Sequence, residues 1–158
     1  MSEIDRIVDQ FEREHDGDPW HGSPLSAILR DITAADAARR PLPAAHSVWE
    51  LVLHITAWKN EVRRRLSGAA AALPEEGDWP EVGDPTEQRW DAAKSRLGAA
   101  HRQLLTDIRA MPESRLHEAT NDPRDRPAGA GVSVYQLLHG LVQHDTYHAG
   151  QIALVKKR

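Results

Sequence analysis

The sequence holds 158 residues, 40% of them apolar and 28% charged, with 20 Lys and Arg against 24 Asp and Glu for a formal charge of -4. That length suits one domain over 1–158 with its own core, and the interspersed charge offers no basic face for nucleic acid. The absence of Cys excludes disulfides, thiolate nucleophiles and Cys-held metals. The N-terminus lacks the pattern of a signal peptide and no run of about 18 apolar residues occurs, so no membrane association and a cytoplasmic location are expected.

In chain order, Ile4, Ile7, Val8 and Phe11 give the first segment, Glu3 to about His15, an amphipathic helical spacing. The stretch GDPWHGSP at 17–24 interrupts it. A short helix from Pro24 to about Ile32, capped by Ser23, is expected next, and then a turn of helix within TAADAARRPLP that Pro41 and Pro43 stop. Three long helices follow, at about 47–66, 84–111 and 133–157. Each begins with a cap residue and a Glu or Gln three positions on: Ser47 with Glu50, Asp84 with Glu87, Ser133 with Gln136. Residues 67–83 carry three Gly and two Pro and read as a long connection, suited to a crossover rather than a tight hairpin. Residues 112–131 form a second irregular stretch. With strand signals nearly absent, the expected fold is all-α: a four-helix bundle with one broken helix and a long connection between its second and third helices.

Nine histidines are the compositional anomaly. On the last helix His144 and His148 fall on the face that carries Val134, Leu137, Leu138, Leu141, Ile152 and Val155, so both imidazoles point inward. An i, i+4 pair has its Cβ atoms about 5–6 Å apart, close enough for two ring nitrogens to converge on one divalent ion. Two neighbouring buried imidazoles without partners are costly, and a shared cation relieves that cost while both rings stay neutral. A third ligand has to come from another helix. His54, beside Leu51 and Trp58, and His101, one step from Leu97 and Leu104, are both placed to supply it, and periodicity does not choose between them. His139 points away from this face. His15, His21, His46 and His117 lie at helix ends or in loops and read as surface residues.

The segments SVWELVLHITAW and LLHGLVQHDTYHAGQI, in this order and spacing, resemble the DinB/YfiT-like superfamily of bacterial four-helix-bundle proteins. The resemblance covers nearly the whole chain, and the H-x-x-x-H-x-G-Q-I stretch of the last helix is its specific part. It implies a three-His site for a divalent metal, zinc or nickel, at His54, His144 and His148. It also implies a homodimer, and a chemistry of metal-dependent hydrolysis or of transfer with a low-molecular-weight thiol such as bacillithiol, mycothiol or glutathione.

Three neutral imidazoles leave a divalent ion with an open position for water or substrate. The expected function is a metal-dependent enzyme acting on a small-molecule substrate, with thiol transfer ahead of hydrolysis and a non-catalytic, metal-stabilised protein as the competing class. Asp145 and Gln151 flank the ligands and suit an orienting role on an imidazole N–H; Glu61, two turns beyond His54, is a candidate acid/base group alongside Asp145. Trp49, Trp58 and Trp90 read as core or pocket wall.

Overall fold

A computed structural model of the protein describes residues 1–122 and 132–157; most of the Pro- and Gly-rich stretch 121–131 and the final Arg158 fall outside the described residues. Four long helices, α1 (Glu3–His15), α4 (Val48–Leu66), α5 (Glu87–Ala110) and α6 (Val134–Val155), are joined by two short ones, α2 (Leu25–Leu29) and α3 (Ala34–Ala38), and by a 3-10 turn over Glu113–His117. Among the described residues there is no strand, only an isolated antiparallel bridge between Ala119 and Ser133 that delivers the chain to the start of α6.

The helix starts follow cap chemistry closely. Ser47 and Glu50, and Ser133 and Gln136, form reciprocal capping boxes, and Ser2 with Asp5 forms a third at the head of α1. The box expected at Asp84 does not form: α5 starts three residues later, with the Thr86 hydroxyl accepting from the Arg89 N–H. Glu87 is drawn away to accept from the Ala34 N–H at 2.9 Å, where it satisfies an orphan donor of α3. Ser23 is likewise no cap, because the N-cap position of α2 is Pro24 and no side chain bonds there. At the far end of α4 the chain turns through Gly68, whose φ of 95° is a left-handed conformation that side-chain-bearing residues rarely adopt.

Two apolar clusters fill the interior, one at each end of the bundle. One gathers α2, α3, the first half of α4, Trp90, Ala93 and Leu97 of α5, and Ala149, Ile152 and Val155 of α6. The other gathers Ile4 to Phe11 of α1, Val62 and Leu66, Leu104 to Ile108, and Val134 to Leu141. This order fixes the helix directions: α4 and α5 both run from the first cluster to the second, whereas α1 and α6 run the other way. Parallel neighbours cannot be joined by a tight turn, which is why residues 67–86 cross the length of the bundle, as their length suggests.

Between the two clusters lies a layer of polar side chains. Glu14 and His15 of α1, Lys59 of α4, His101 of α5 and Asp145 of α6 meet there, and of these Glu14, Lys59, His101 and Asp145 are buried. Lys59 and Asp145 form an ion pair with both side chains fully enclosed. The His15 and His101 rings stack at 3.9 Å, so neither of the surface and metal-ligand readings suits them. Both Glu14 carboxyl oxygens are buried without a hydrogen-bond partner among the described residues. Burial first, then the adjacent Asp145 charge, push the Glu14 pKa up to about 8 against the pull of Lys59, so the acid is held protonated. Burial drives the two histidines the opposite way, to about 4 for His15 and about 2 for His101.

For Glu14 the raised folded value means that its contribution to stability is complete below the ordinary value of 4.5 and is lost as pH rises towards 8. Glu14→Gln, which cannot ionise, is therefore expected to gain melting temperature relative to the parent as pH is raised from 5 to 8.5, measured by thermal unfolding across that range. A difference independent of pH would show that Glu14 is already ionised in the fold.

Candidate metal centre

The same polar layer carries three more histidines on its outer side. His54 comes from α4, and His144 and His148 are successive turns of α6. Their ring centroids lie 4.9 Å (His54 to His144), 4.7 Å (His54 to His148) and 4.4 Å (His144 to His148) apart. One ring nitrogen from each lies within 4.8 Å of the other two, and no other such group of three occurs among the described residues. The structure thus brings His54, and not His101, to the α6 pair.

Each ring is oriented by an oxygen. His54 Nδ1 donates to the backbone carbonyl of Asp78 at 2.6 Å, His148 Nδ1 to Gln151 Oε1 at 2.6 Å, and His144 Nδ1 to Asp145 Oδ1 at 3.3 Å. Carbonyl and carboxylate oxygens only accept, so Nδ1 carries the proton and Nε2 is the nitrogen turned towards the shared centre. His54 Nε2 and His144 Nε2 stand 2.9 Å apart. Two bare lone pairs at that distance repel, so a proton or a cation has to lie between them. Burial pushes the His148 pKa down to about 4; its bond to Gln151 resists this and the neighbouring imidazoles reinforce it. Burial also lowers His54, with the Asp78 carbonyl opposing and His144 adding to the shift. These two rings are neutral at pH 7, the form in which imidazole binds a metal.

The connection 67–86 covers the site. Trp79 stacks on the His54 ring at 3.9 Å and, through its opposite face, on His46 at 3.4 Å, with the His46 side chain still 40% exposed. Trp58 donates its indole N–H to Asp78 Oδ1 at 2.8 Å and so helps hold the carbonyl that orients His54. Trp49 and Trp90 are core, 5.1 Å apart, with the Trp90 N–H on the Ile32 carbonyl. A cleft of about 420 Å³ adjoins His148 and Trp79, walled by Leu42, Leu51, Tyr147 and Leu154 with Gln151 and His46 as polar groups. A larger one of about 670 Å³, near Asn60, Arg63 and Met111, touches none of the three imidazoles.

The two carboxylates singled out as acid/base candidates are otherwise engaged. Glu61 is buried and accepts from Arg64, from Arg65 and from the Ala72 N–H, all at 2.8–3.0 Å. Burial alone would raise its pKa, but these bonds outweigh it and hold the carboxyl below its usual value. Seven residues of helix also separate it from His54 by about 10 Å of rise. Glu61 therefore anchors the start of the connection instead of facing the imidazoles. Asp145 meets the site only through His144 Nδ1, its other oxygen accepting from Lys59 Nζ at 2.5 Å. Burial raises its pKa and Lys59, then His144, bring it down further, for a net lowering. Asp78, Trp79 and Lys59 escape a reading by periodicity: the first two sit in an aperiodic connection, and Lys59 has no neighbour in sequence that betrays its partner.

A bundle whose α4 and α6 turn three imidazoles to one point, each ring held by an oxygen, defines a class of helical protein with a preformed nitrogen-donor cluster at mid-height. The chain belongs to the DinB superfamily, whose family model matches residues 20–152. A crystal structure of a conserved protein from Enterococcus faecalis shares the fold, with a TM-score of 0.72 over 99% of this chain and 96% of that one at 16% identity. Among curated proteins none matches the sequence. Within the described residues no helix is long and apolar enough to cross a membrane.

If Glu61 is an anchor, Glu61→Ala should cost about 1–3 kcal/mol of unfolding free energy and speed proteolysis within residues 67–83. The ring resonances of His144 and His148 should stay where they are. Unchanged stability with displaced imidazole resonances would return Glu61 to the site.

Proposed function

We propose that the protein binds one divalent ion, zinc or nickel, through Nε2 of His54, His144 and His148, and is a metal-dependent enzyme acting on a small molecule. The observation that carries this reading is that one ring nitrogen from each of the three histidines lies within 4.8 Å of the other two, while each Nδ1 is bonded to an oxygen and Nε2 is left free. Neutral imidazoles are borderline donors that suit both ions. A bound ion of this kind supplies a Lewis-acid position at which a thiol or a water loses its proton near pH 7.

The residues themselves account for the rest of the chemistry. Asp78, Asp145 and Gln151 orient the rings with Nδ1 engaged and Nε2 free. Trp79 shields His54, and the apolar walls beside His148 exclude water from a substrate seated there. Transfer to or from a low-molecular-weight thiol is the first reaction to test and hydrolysis the second.

A structural ion is normally closed by a fourth protein ligand. Three candidates for it are committed elsewhere: His101 to the His15 stack, Asp145 to Lys59, Glu61 to Arg64 and Arg65. This favours an open position, and with it an enzyme over a metal-stabilised scaffold. A homodimer remains part of the proposal.

Protein purified without an affinity tag should contain, or take up, one equivalent of zinc or nickel by elemental analysis. His144→Ala should lose that ion and turnover in a panel of small thiols with electrophiles while keeping its helical content. Absence of stoichiometric metal together with no rise in melting temperature on adding zinc or nickel would overturn the metal reading; loss of folding in His144→Ala would favour the scaffold.

A further inference from the structure

The buried Lys59–Asp145 pair is an expensive feature for which the fold alone gives no reason. Both side chains are fully enclosed. Taking two charges out of water costs so much that replacing such a pair by apolar residues of similar volume is often neutral or stabilising. Lys59 Nζ also stands 5.4 Å from the Phe11 ring.

The position of the pair relative to the imidazoles supplies the missing reason. Lys59 is five residues beyond His54 on α4, and Asp145 follows His144 directly on α6. The pair therefore joins the two helices that carry the three rings, at the level where the rings meet. Lys59 Nζ takes Asp145 Oδ2, which leaves Oδ1 for His144 Nδ1.

His144 is also the ring that most needs support. Its bond to oxygen is 3.3 Å, against 2.6 Å for each of the others, and its side chain is 27% exposed where that of His54 is 6%. Consecutive residues of a helix do not face one another, so the Asp145 carboxylate reaches His144 only if something fixes its own rotation.

We infer that the Lys59–Asp145 ion pair is a positioning device for His144: Lys59 pins the Asp145 carboxylate so that its free oxygen holds the His144 ring with Nε2 turned to the centre shared with His54 and His148. This rests on the metal reading above and gives Lys59 and Asp145 a role in it without contact with the ion.

The test compares the parent with Lys59→Met/Asp145→Leu, which removes both charges and the acceptor together. Zinc affinity is read by competition with a chromophoric chelator, ligand geometry from the visible absorption of the cobalt(II) form, and stability from the melting temperature of metal-free protein. The expected result is a melting temperature at or above the parent's, zinc affinity weaker by about 10–100-fold, and an altered cobalt spectrum.

A double variant that folds, binds zinc like the parent and keeps the parent's cobalt spectrum would reduce the pair to a structural contact. Parent protein that binds no zinc would instead remove the metal reading itself. Should the double variant fail to fold, nitrogen NMR of the parent decides. A His144 Nδ1 proton that persists in hydrogen-bonded form with and without zinc supports the device, and an unprotonated Nδ1 overturns it.

Discussion

An imidazole has two nitrogens, and fixing one against an oxygen determines what the other presents. Everything at the centre of this bundle depends on that constraint applied three times. Asp78 contributes a backbone carbonyl from the long connection, Asp145 a carboxylate from the interior and Gln151 an amide oxygen from the last turns of α6. The three acceptors differ in chemistry, one from the long connection and two from α6, yet all bind Nδ1. The consequence is that Nε2 is the nitrogen each ring leaves free of an oxygen partner.

The constraint also explains the otherwise awkward composition of the interior. A 158-residue bundle could close a continuous apolar core, but this one divides its core into two clusters with a polar layer between them. The layer holds a protonated acid, two stacked neutral histidines and an enclosed ion pair, all of which cost stability compared with apolar packing. That cost is concentrated at one level of the bundle, and the three converging imidazoles lie at the same level. Polar interior and imidazole cluster are parts of one arrangement, with Asp145 touching both.

Much of the fold was legible in the sequence because helices announce themselves locally. The boxes at Ser47 and Ser133 are local signals, and the length of 67–83 matches the long path that parallel α4 and α5 demand. The start of α5 is not legible locally because Glu87 serves Ala34, a contact across 53 residues that no local rule contains. At the site, the spacing of His144 and His148 was enough to pair them. Choosing His54 over His101 was beyond periodicity, since both fall on inward faces, and only the likeness to a known family separated them. Asp78 and Trp79 were missed because an aperiodic loop gives no face to read. Glu61 is a different case: the run Glu61-Val-Arg-Arg-Arg65 offers it two guanidiniums at i+3 and i+4, a local signal that already spoke against a free acid/base group.

The claim that most depends on measurement is the identity of the donor atoms. Nitrogen NMR of the histidine rings during zinc titration addresses it directly. The expected result is that Nε2 of His54, His144 and His148 move together and saturate at one equivalent, with Nδ1 protonated on all three throughout. Coordination through any Nδ1, or a titration in which the His54 ring does not take part, would contradict the account.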